Sequence, residues 1–404
     1  GKAWRAPNRK GSLKGSAMGL PPASHGNATN QDLSMDIPLV PLQGGHVTTF
    51  DVESFSKTKA MELPRNVVVG HDGIQQTGEV CASLKLGRRA LLVADEITMK
   101  VAGMTVVESL AKKRIKSEEF LIPDATWHEV RGAEDRIRKG EFDFALGVGG
   151  GRPIDVAKCA SFNAGVPFVS VPTAASHDGV VSSRASITKG GEKVSLAAQT
   201  PIAVIMDTGI IAESPFRLLA AGCGDIISNL TAVKDWALAR NLRNEYYSSY
   251  AAALSELAAR LVIENAPTIK PRLEESAWFV CKALVSSGVA MSIAGSSRPA
   301  SGSEHKFSHA LDRIAKKPAL HGEQCGVGTI MMMYLHAGNW EEVRDALLSI
   351  GAPTTAHALG VTDDEVVQAL VHAHEIAKDR YTILGDTGLT DEAAERLARI
   401  TKVI

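Results

Sequence analysis

The chain has 404 residues, long enough to bury two cores, and a formal net charge of −1. Without a basic excess it offers no surface for a polyanion such as nucleic acid, and no uninterrupted apolar run reaches the roughly 18–20 residues of a membrane span. Five cysteines (Cys81, Cys159, Cys223, Cys281, Cys325) form no CxxC pair and are odd in number, which argues against a disulfide framework and for a reducing cytoplasm.

Residues 1–60 are rich in Gly, Ser, Pro and Asn, carry Lys2, Arg5, Arg9, Lys10 and Lys14, and lack the apolar stretch of a signal peptide. They read as a disordered extension, with a basic targeting arm as the alternative, and Met61 is the expected natural start. From Met61 to about Thr208, apolar strands alternate with helical spacing. Strands are expected at 66–70, 90–95, 119–122, 142–148, 166–171 and 202–207, and helices at 74–86, 101–112 and 131–139. A β-hairpin is expected where Ser186–Thr188 and Lys193–Leu196 flank Lys189-Gly190-Gly191-Glu192. From Pro215 onward the pattern is almost entirely helical, with long segments at 248–263 and 275–295 and breaks at Gly338, Gly351 and Gly360. The expected fold is α/β: a Rossmann-like parallel-sheet domain with a hairpin over 61–213, an all-helical domain over 214–404, and the active site in the cleft between them.

Three groups of residues carry chemistry. Leu146-Gly147-Val148-Gly149-Gly150-Gly151-Arg152-Pro153 reads as strand, glycine turn and helix start, with the helix beginning at Pro153. Glycines let the backbone approach a pyrophosphate, whose charge the free N–H groups and the helix N-terminus stabilise; the plainer alternative is a tight turn. Asp95 ends a preceding strand, where a carboxylate either accepts from a ribose diol or caps a helix. Pro172-Thr173-Ala174-Ala175-Ser176-His177-Asp178-Gly179 gathers hydroxyls, a histidine and an acid at another strand end. Thr173, Ser176 and Ser182 are candidates for a cofactor amide or phosphate and Asp178 for a substrate hydroxyl, against a polar turn with an Asx cap.

The third group lies in the helical half. His305 and His309 stand four apart and share a helix face; His321 follows directly before a glycine, and Asp225 stands upstream in Gly222-Cys223-Gly224-Asp225. Asp225, His305 and His321 would give one oxygen and two nitrogen ligands to a divalent metal, leaving two open positions for substrate oxygens or water. His309 is either a fourth ligand or a substrate contact. His336, His357, His372 and His374 read as ordinary core or surface residues, and Lys306 stands where an apolar residue is expected.

Together these motifs, in this order and spacing, resemble the metal-dependent polyol dehydrogenases, the group that includes glycerol dehydrogenase, iron-type alcohol dehydrogenases and dehydroquinate synthase. Within it, Ser176-His177-Asp178-Gly179 and Leu320-His321-Gly322-Glu323-Gln324-Cys325-Gly326-Val327-Gly328 are similar to the archaeal-type glycerol-1-phosphate dehydrogenase family. The resemblance covers roughly residues 61–404. It implies that Gly149, Gly150, Gly151, Arg152 and Pro153 bind the pyrophosphate of NAD(H) or NADP(H), and that Thr173, Ala174, Ala175, Ser176 and Ser182 hold its nicotinamide side. It further implies that Asp178, Asp225 and His309 contact substrate, and that Asp225, His305 and His321 ligate one divalent metal, with Zn²⁺ expected and Ni²⁺ or Fe²⁺ as alternatives. Asp225 and His309 become the catalytic candidates. The activity implied is reduction of dihydroxyacetone phosphate to sn-glycerol 1-phosphate for archaeal ether lipids, by a cytoplasmic homo-oligomer. Glycerol dehydrogenase, a lyase using NAD catalytically, and a non-enzymatic nucleotide-binding regulator are the rivals.

Overall fold

The structure, a computed structural model, describes residues 61–404. The expectations for residues 1–60 lie outside these described residues. Six strands form one parallel sheet: β1 (Asn66–Gly70), β2 (Arg89–Ala94), β3 (Lys116–Leu121), β4 (Phe144–Gly149), β5 (Phe168–Pro172) and, after an antiparallel hairpin of β6 (Arg184–Lys189) and β7 (Glu192–Ala197), β8 (Ala203–Asp207). Their order is β1-β8-β5-β4-β2-β3. The inner strands are apolar on both faces because helices cover both. On β2, Leu91 and Val93 enter one core while Ala90, Leu92 and Ala94 enter the other.

The α/β portion carries helices α1 (Thr77–Ser83), α2 (Glu96–Thr98), α3 (Met104–Lys112), α4 (Trp127–Lys139) and α5 (Gly151–Ala164). The remainder is helical: α6 (Thr208–Glu213), α7 (Phe216–Arg243), α8 (Ser249–Asn265), α9 (Glu274–Ala294), α10 (Ser303–Ile314), α11 (His321–Leu335), α12 (Trp340–Ile350), α13 (Ala356–Leu359), α14 (Asp363–His372) and α15 (Asp391–Ile400). Thr126, Ser248 and Asp207 cap α4, α8 and α6 through their side-chain oxygens, while Gly295, Gly351 and Gly360 end α9, α12 and α13 in left-handed conformation. One continuous core runs from the sheet face at Leu91 through the helical half to Val403.

Several boundaries differ from expectation for identifiable reasons. β3 begins three residues earlier than read, because Lys116 and Glu118 on an edge strand mask its period. The helix expected at 74–86 is a 3₁₀ turn, Gly73–Gln76, followed by α1. Helix α5 starts at Gly151 rather than Pro153, since Gly150 already serves as N-cap. α9 is long and apolar enough to cross a membrane by length and composition, but more than half of its apolar window is buried inside the protein.

Candidate active site

The sheet order reverses between β2 and β4: β3 lies outward of β2, and β5 lies on the other side of β4. Crevices at such a reversal, at the carboxyl ends of parallel strands, are where α/β sheets bind ligands. Asp95 and the glycine triplet flank this one. The three glycines of the triplet stand in different surroundings. Gly149 has φ +150°, and a Cβ there would meet Pro153 Cγ at 2.8 Å. A Cβ on Gly151 would meet His177 Nε2 at 2.4 Å. Gly150 has an ordinary φ of −75°, and a Cβ there would meet nothing within 4 Å. No contact among the described residues demands that glycine, and the space beside it is open to a ligand.

Asp95 is the N-cap of α2, its Oδ1 accepting from Ile97 N at 3.0 Å and Thr98 N at 2.8 Å. The capping alternative is therefore realised, and Oδ2 is left 3.7 Å from Arg152 at the crevice. Thr173, Ala174, Ser176 and Ser182 line the same cleft, of about 1180 Å³, with Arg152 and Pro153. Ala175 does not. Its side chain is buried in the core, and its carbonyl sits where a Cβ on Gly222 would come within 2.0 Å.

A buried ion pair on α5 fixes the loops around the cleft. Lys158, fully buried, donates to the carbonyls of Gly179 and Arg184 (2.6 Å to Arg184 O), while Asp155 Oδ2 accepts from Ser186 N at 3.0 Å. Burial raises Asp155 to about 6 and lowers Lys158. One helix thus ties together the glycine turn, the Asp178 loop and the base of the hairpin.

Glycine-mediated helix crossings assemble the second half of the site. A Cβ on Gly322 of α11 would come within 1.9 Å of Ala221 O on α7, and one on Gly224 within 2.4 Å of Gly322 O. This close approach sets Asp225, next to Gly224, against His321, next to Gly322. A Cβ on Gly328 would come within 3.1 Å of Glu304 O, so its absence lets α10 and His305 approach the same point. His305 Nε2 and His321 Nε2 lie 3.8 and 3.7 Å from Asp225 Oδ1. That oxygen is buried with no hydrogen-bond partner, while Oδ2 accepts from Asp178 N at 2.8 Å. An orphaned carboxylate oxygen faced by two imidazole nitrogens is what a divalent metal would satisfy. Their outer nitrogens are held: His305 Nδ1 lies 2.9 Å from Glu304 Oε1 and His321 Nδ1 lies 3.2 Å from Ser308 Oγ, the usual support for ligand histidines. Burial lowers both imidazoles, favouring the neutral, ligating form. Burial also raises Asp225, aided by Asp178, and brings Asp178 to about 6 and Glu304 to about 7. The buried Asp225 and Glu304, with Asp178 beside them, have no Lys or Arg in contact among the described residues, and a divalent ion fits that deficit.

The sequence reading missed Cys325, whose Sγ joins this cluster 3.6 Å from His321 Nε2. The signal was available: Cys325 is one turn after His321 and shares its helix face. His309 stands outside the cluster, its ring 5.6 Å from that of His321, with Nδ1 3.7 Å from Asp312. It lines the cleft as a substrate contact would, with Asp312 held by Gln324 Nε2 at 3.2 Å. Asp178 also lines the cleft, its Oδ2 accepting from Ser287 Oγ at 2.7 Å. His336 pairs with Asp235 at 3.0 Å and is structural, as expected. Lys306 is buried although charged, and burial pulls it down to about 8.

Residues 68–215 match the family model described as iron-containing alcohol dehydrogenase. The glycerol-1-phosphate dehydrogenase [NAD(P)+] of Methanosarcina acetivorans is 61% identical over 349 residues, covering 86% of this chain and 98% of that protein. The enzyme of the same name from Methanothermobacter thermautotrophicus is 55% identical, covering 86% and 99%. The chain belongs to the glycerol-1-phosphate dehydrogenase family. Its fold is shared with a probable glycerol dehydrogenase from Sinorhizobium meliloti (20% identity, TM-score 0.69, covering 86% of this chain and all of that one). It is shared equally with glycerol dehydrogenase from Schizosaccharomyces pombe (18% identity, TM-score 0.70, covering 85% and 90%). The α/β sheet followed by helices agrees with the fold read from the sequence.

Proposed function

We propose that the protein catalyses NAD(P)H-dependent reduction of dihydroxyacetone phosphate to sn-glycerol 1-phosphate, which supplies the backbone of archaeal ether lipids. Kinship at 61% identity across nearly the whole of a glycerol-1-phosphate dehydrogenase carries this reading. The assembled Asp225, His305 and His321 supply the chemistry it needs. Asp225, His305 and His321 would hold one divalent metal, and a carboxylate, two imidazoles and a neighbouring thiol suit Zn²⁺. Bound there, the metal would act as a Lewis acid toward the carbonyl oxygen.

The protein's own groups supply position and proton. Gly149 to Pro153 hold the pyrophosphate at the N-terminus of α5. Thr173, Ser176 and Ser182 fix the nicotinamide face, and Asp95 Oδ2 with Arg152 is placed to meet the adenosine ribose. Asp178, oriented by Ser287, would accept from a substrate hydroxyl. His309, held by Asp312, would pass the proton that the product oxygen takes up, while burial favours the neutral form of His305 and His321. The enzyme is proposed to work in the cytoplasm as a homo-oligomer on this small substrate, without nucleic acid or a membrane span.

The test is NADH oxidation by the purified protein with dihydroxyacetone phosphate before and after chelation. Metal-dependent consumption, equimolar with product, supports the reading. Turnover that survives complete metal removal contradicts it, as does phosphate elimination without net NADH loss.

A further inference from the structure

The β6–β7 hairpin has no part in the chemistry so far, although its polar face forms a wall of the cleft. Along β6, Ala185 and Ile187 are buried in the core, and on β7 Leu196 packs against it, so the alternate residues turn the other way. Those residues are Arg184, Ser186 and Thr188 on β6 and Lys193 and Ser195 on β7, and all five line the cleft. The register sets Ser186 opposite Ser195 and Thr188 opposite Lys193. The face therefore carries two cations and three hydroxyls and no carboxylate. Its base is immobilised from below by Lys158 and Asp155, through Arg184 O and Ser186 N.

This wall stands beside the reacting end of the cleft rather than the cofactor's phosphate turn. Lys193 Nζ lies 3.8 Å from Asp312 Oδ2, and Asp312 is the carboxylate that holds His309. The Lys193 side chain is 46% exposed, so its ammonium is held in no closed ion pair and is available to a ligand. Ser297 and Ser301 also line the cleft. Behind them Arg380 donates to Ser297 Oγ at 2.8 Å and to Ser301 O, with no carboxylate within ion-pair distance among the described residues. Burial, with Arg298 and Arg184 nearby, lowers Arg380 to about 10. This end of the cleft thus carries Lys193, Arg184 and Arg380, and among the described residues only Lys193 has a carboxylate, Asp312, within ion-pair distance.

We propose that the polar face of this hairpin is the site for the substrate's phosphate, with Lys193 as its principal anchor and Arg184, Ser186 and Ser195 completing it. The assignment rests on the reading of the substrate as a phosphorylated ketone. It makes the hairpin the element that selects phosphorylated over free polyols. A phosphate held at Lys193 and a carbonyl held at Asp225, His305 and His321 fix both ends of a three-carbon substrate under one hydride donor.

The experiment measures kcat/KM for dihydroxyacetone phosphate and for dihydroxyacetone, together with NADH affinity and metal content, in the parent, Lys193→Ala, Lys193→Arg and Arg184→Gln. Loss of one charge-assisted phosphate contact should lower the preference for the phosphorylated substrate roughly ten- to a hundredfold in Lys193→Ala. Lys193→Arg should restore most of it, and inorganic phosphate should inhibit the parent more strongly than Lys193→Ala. A parent without preference would remove the substrate reading and the site with it. A parent with preference that Lys193→Ala and Arg184→Gln both retain would overturn the hairpin assignment alone. An equal loss of NADH affinity in Lys193→Ala would assign the hairpin to the cofactor and overturn the proposal as well.

Discussion

Gly150→Ala separates folding from cofactor binding at a single atom. The backbone at Gly150 is extended, with φ −75° and ψ −165°, which alanine adopts without strain. The added Cβ meets no protein atom within 4 Å. Two small effects then oppose each other. Alanine is a poorer N-cap than glycine by about 0.5–1 kcal/mol, and replacing glycine restricts the unfolded chain, a gain of about 0.4–1 kcal/mol. Stability should therefore stay within about 1 kcal/mol of the parent. Binding has no such compensation. In the proposed binding mode the methyl group would occupy the space through which a pyrophosphate oxygen reaches the N–H groups at the start of α5. Losing one charge-assisted hydrogen bond of about 1.5–3 kcal/mol corresponds to roughly a ten- to hundredfold weaker NADH affinity. Fluorescence titration with NADH, calorimetry and metal analysis on the same preparation report all three quantities. Unchanged NADH affinity in a well-folded variant would show that the triplet is only a turn. A large drop in melting temperature would show that the space is not open.

Three further outcomes follow from named contacts. His321→Ala should lose the metal and turnover together while NADH binding persists, because the glycine turn belongs to α5 and His321 to α11; metal retained with near-parent rate would refute the ligand assignment. Gly322→Ala places a Cβ 1.9 Å from Ala221 O, so α7 and α11 must part by more than an ångström. Overpacking of about 1–3 kcal/mol and a weakened metal site should appear together in denaturation and chelator competition, and parent-like values in both would deny the crossing its role. Lys158→Met leaves Asp155 buried without its cation, and its pKa, already about 6, must rise further. A carboxyl raised in the folded state favours folding below its unfolded value and loses that advantage as pH rises through the folded one. The hydrogen bonds lost at Gly179 O and Arg184 O destabilise the variant at every pH, and the destabilisation should grow as pH rises, to about 3–5 kcal/mol above neutrality; a pH-independent difference would sink the pairing.

Most of the architecture is legible in the sequence because its signals are local. Apolar runs mark β1, β2, β4 and β8, and Ser248 and Gly295 mark the ends of long helices. The metal cluster was legible as chemistry, since Asp225, His305 and His321 are sparse residue types in recognisable settings. What could not be read is how distant elements meet. Gly224, Gly322 and Gly328 look like helix weaknesses until α7, α10 and α11 are seen to cross through them, and Gly222 until the Ala175 carbonyl is seen against it. Cys325 was hidden in an apolar helix, although its spacing from His321 places both on one face. Ala175 was grouped with its cleft-lining neighbours because loop sequence does not reveal which side chain turns inward. The hairpin was visible as a hairpin, but its cationic face acquires meaning only beside Asp312 and His309.

The handedness of the product tests the central claim most directly. If Thr173 to Ser182 fix the nicotinamide on one side of the cleft, Asp225, His305 and His321 define the carbonyl end and the hairpin holds the phosphate, as proposed, hydride would reach only one face of the ketone. Dihydroxyacetone phosphate reduced by the metal-loaded enzyme with NADH or NADPH, and assayed with stereospecific dehydrogenases of each hand, should give sn-glycerol 1-phosphate alone. An sn-3 or racemic product would contradict the account, whatever the rate.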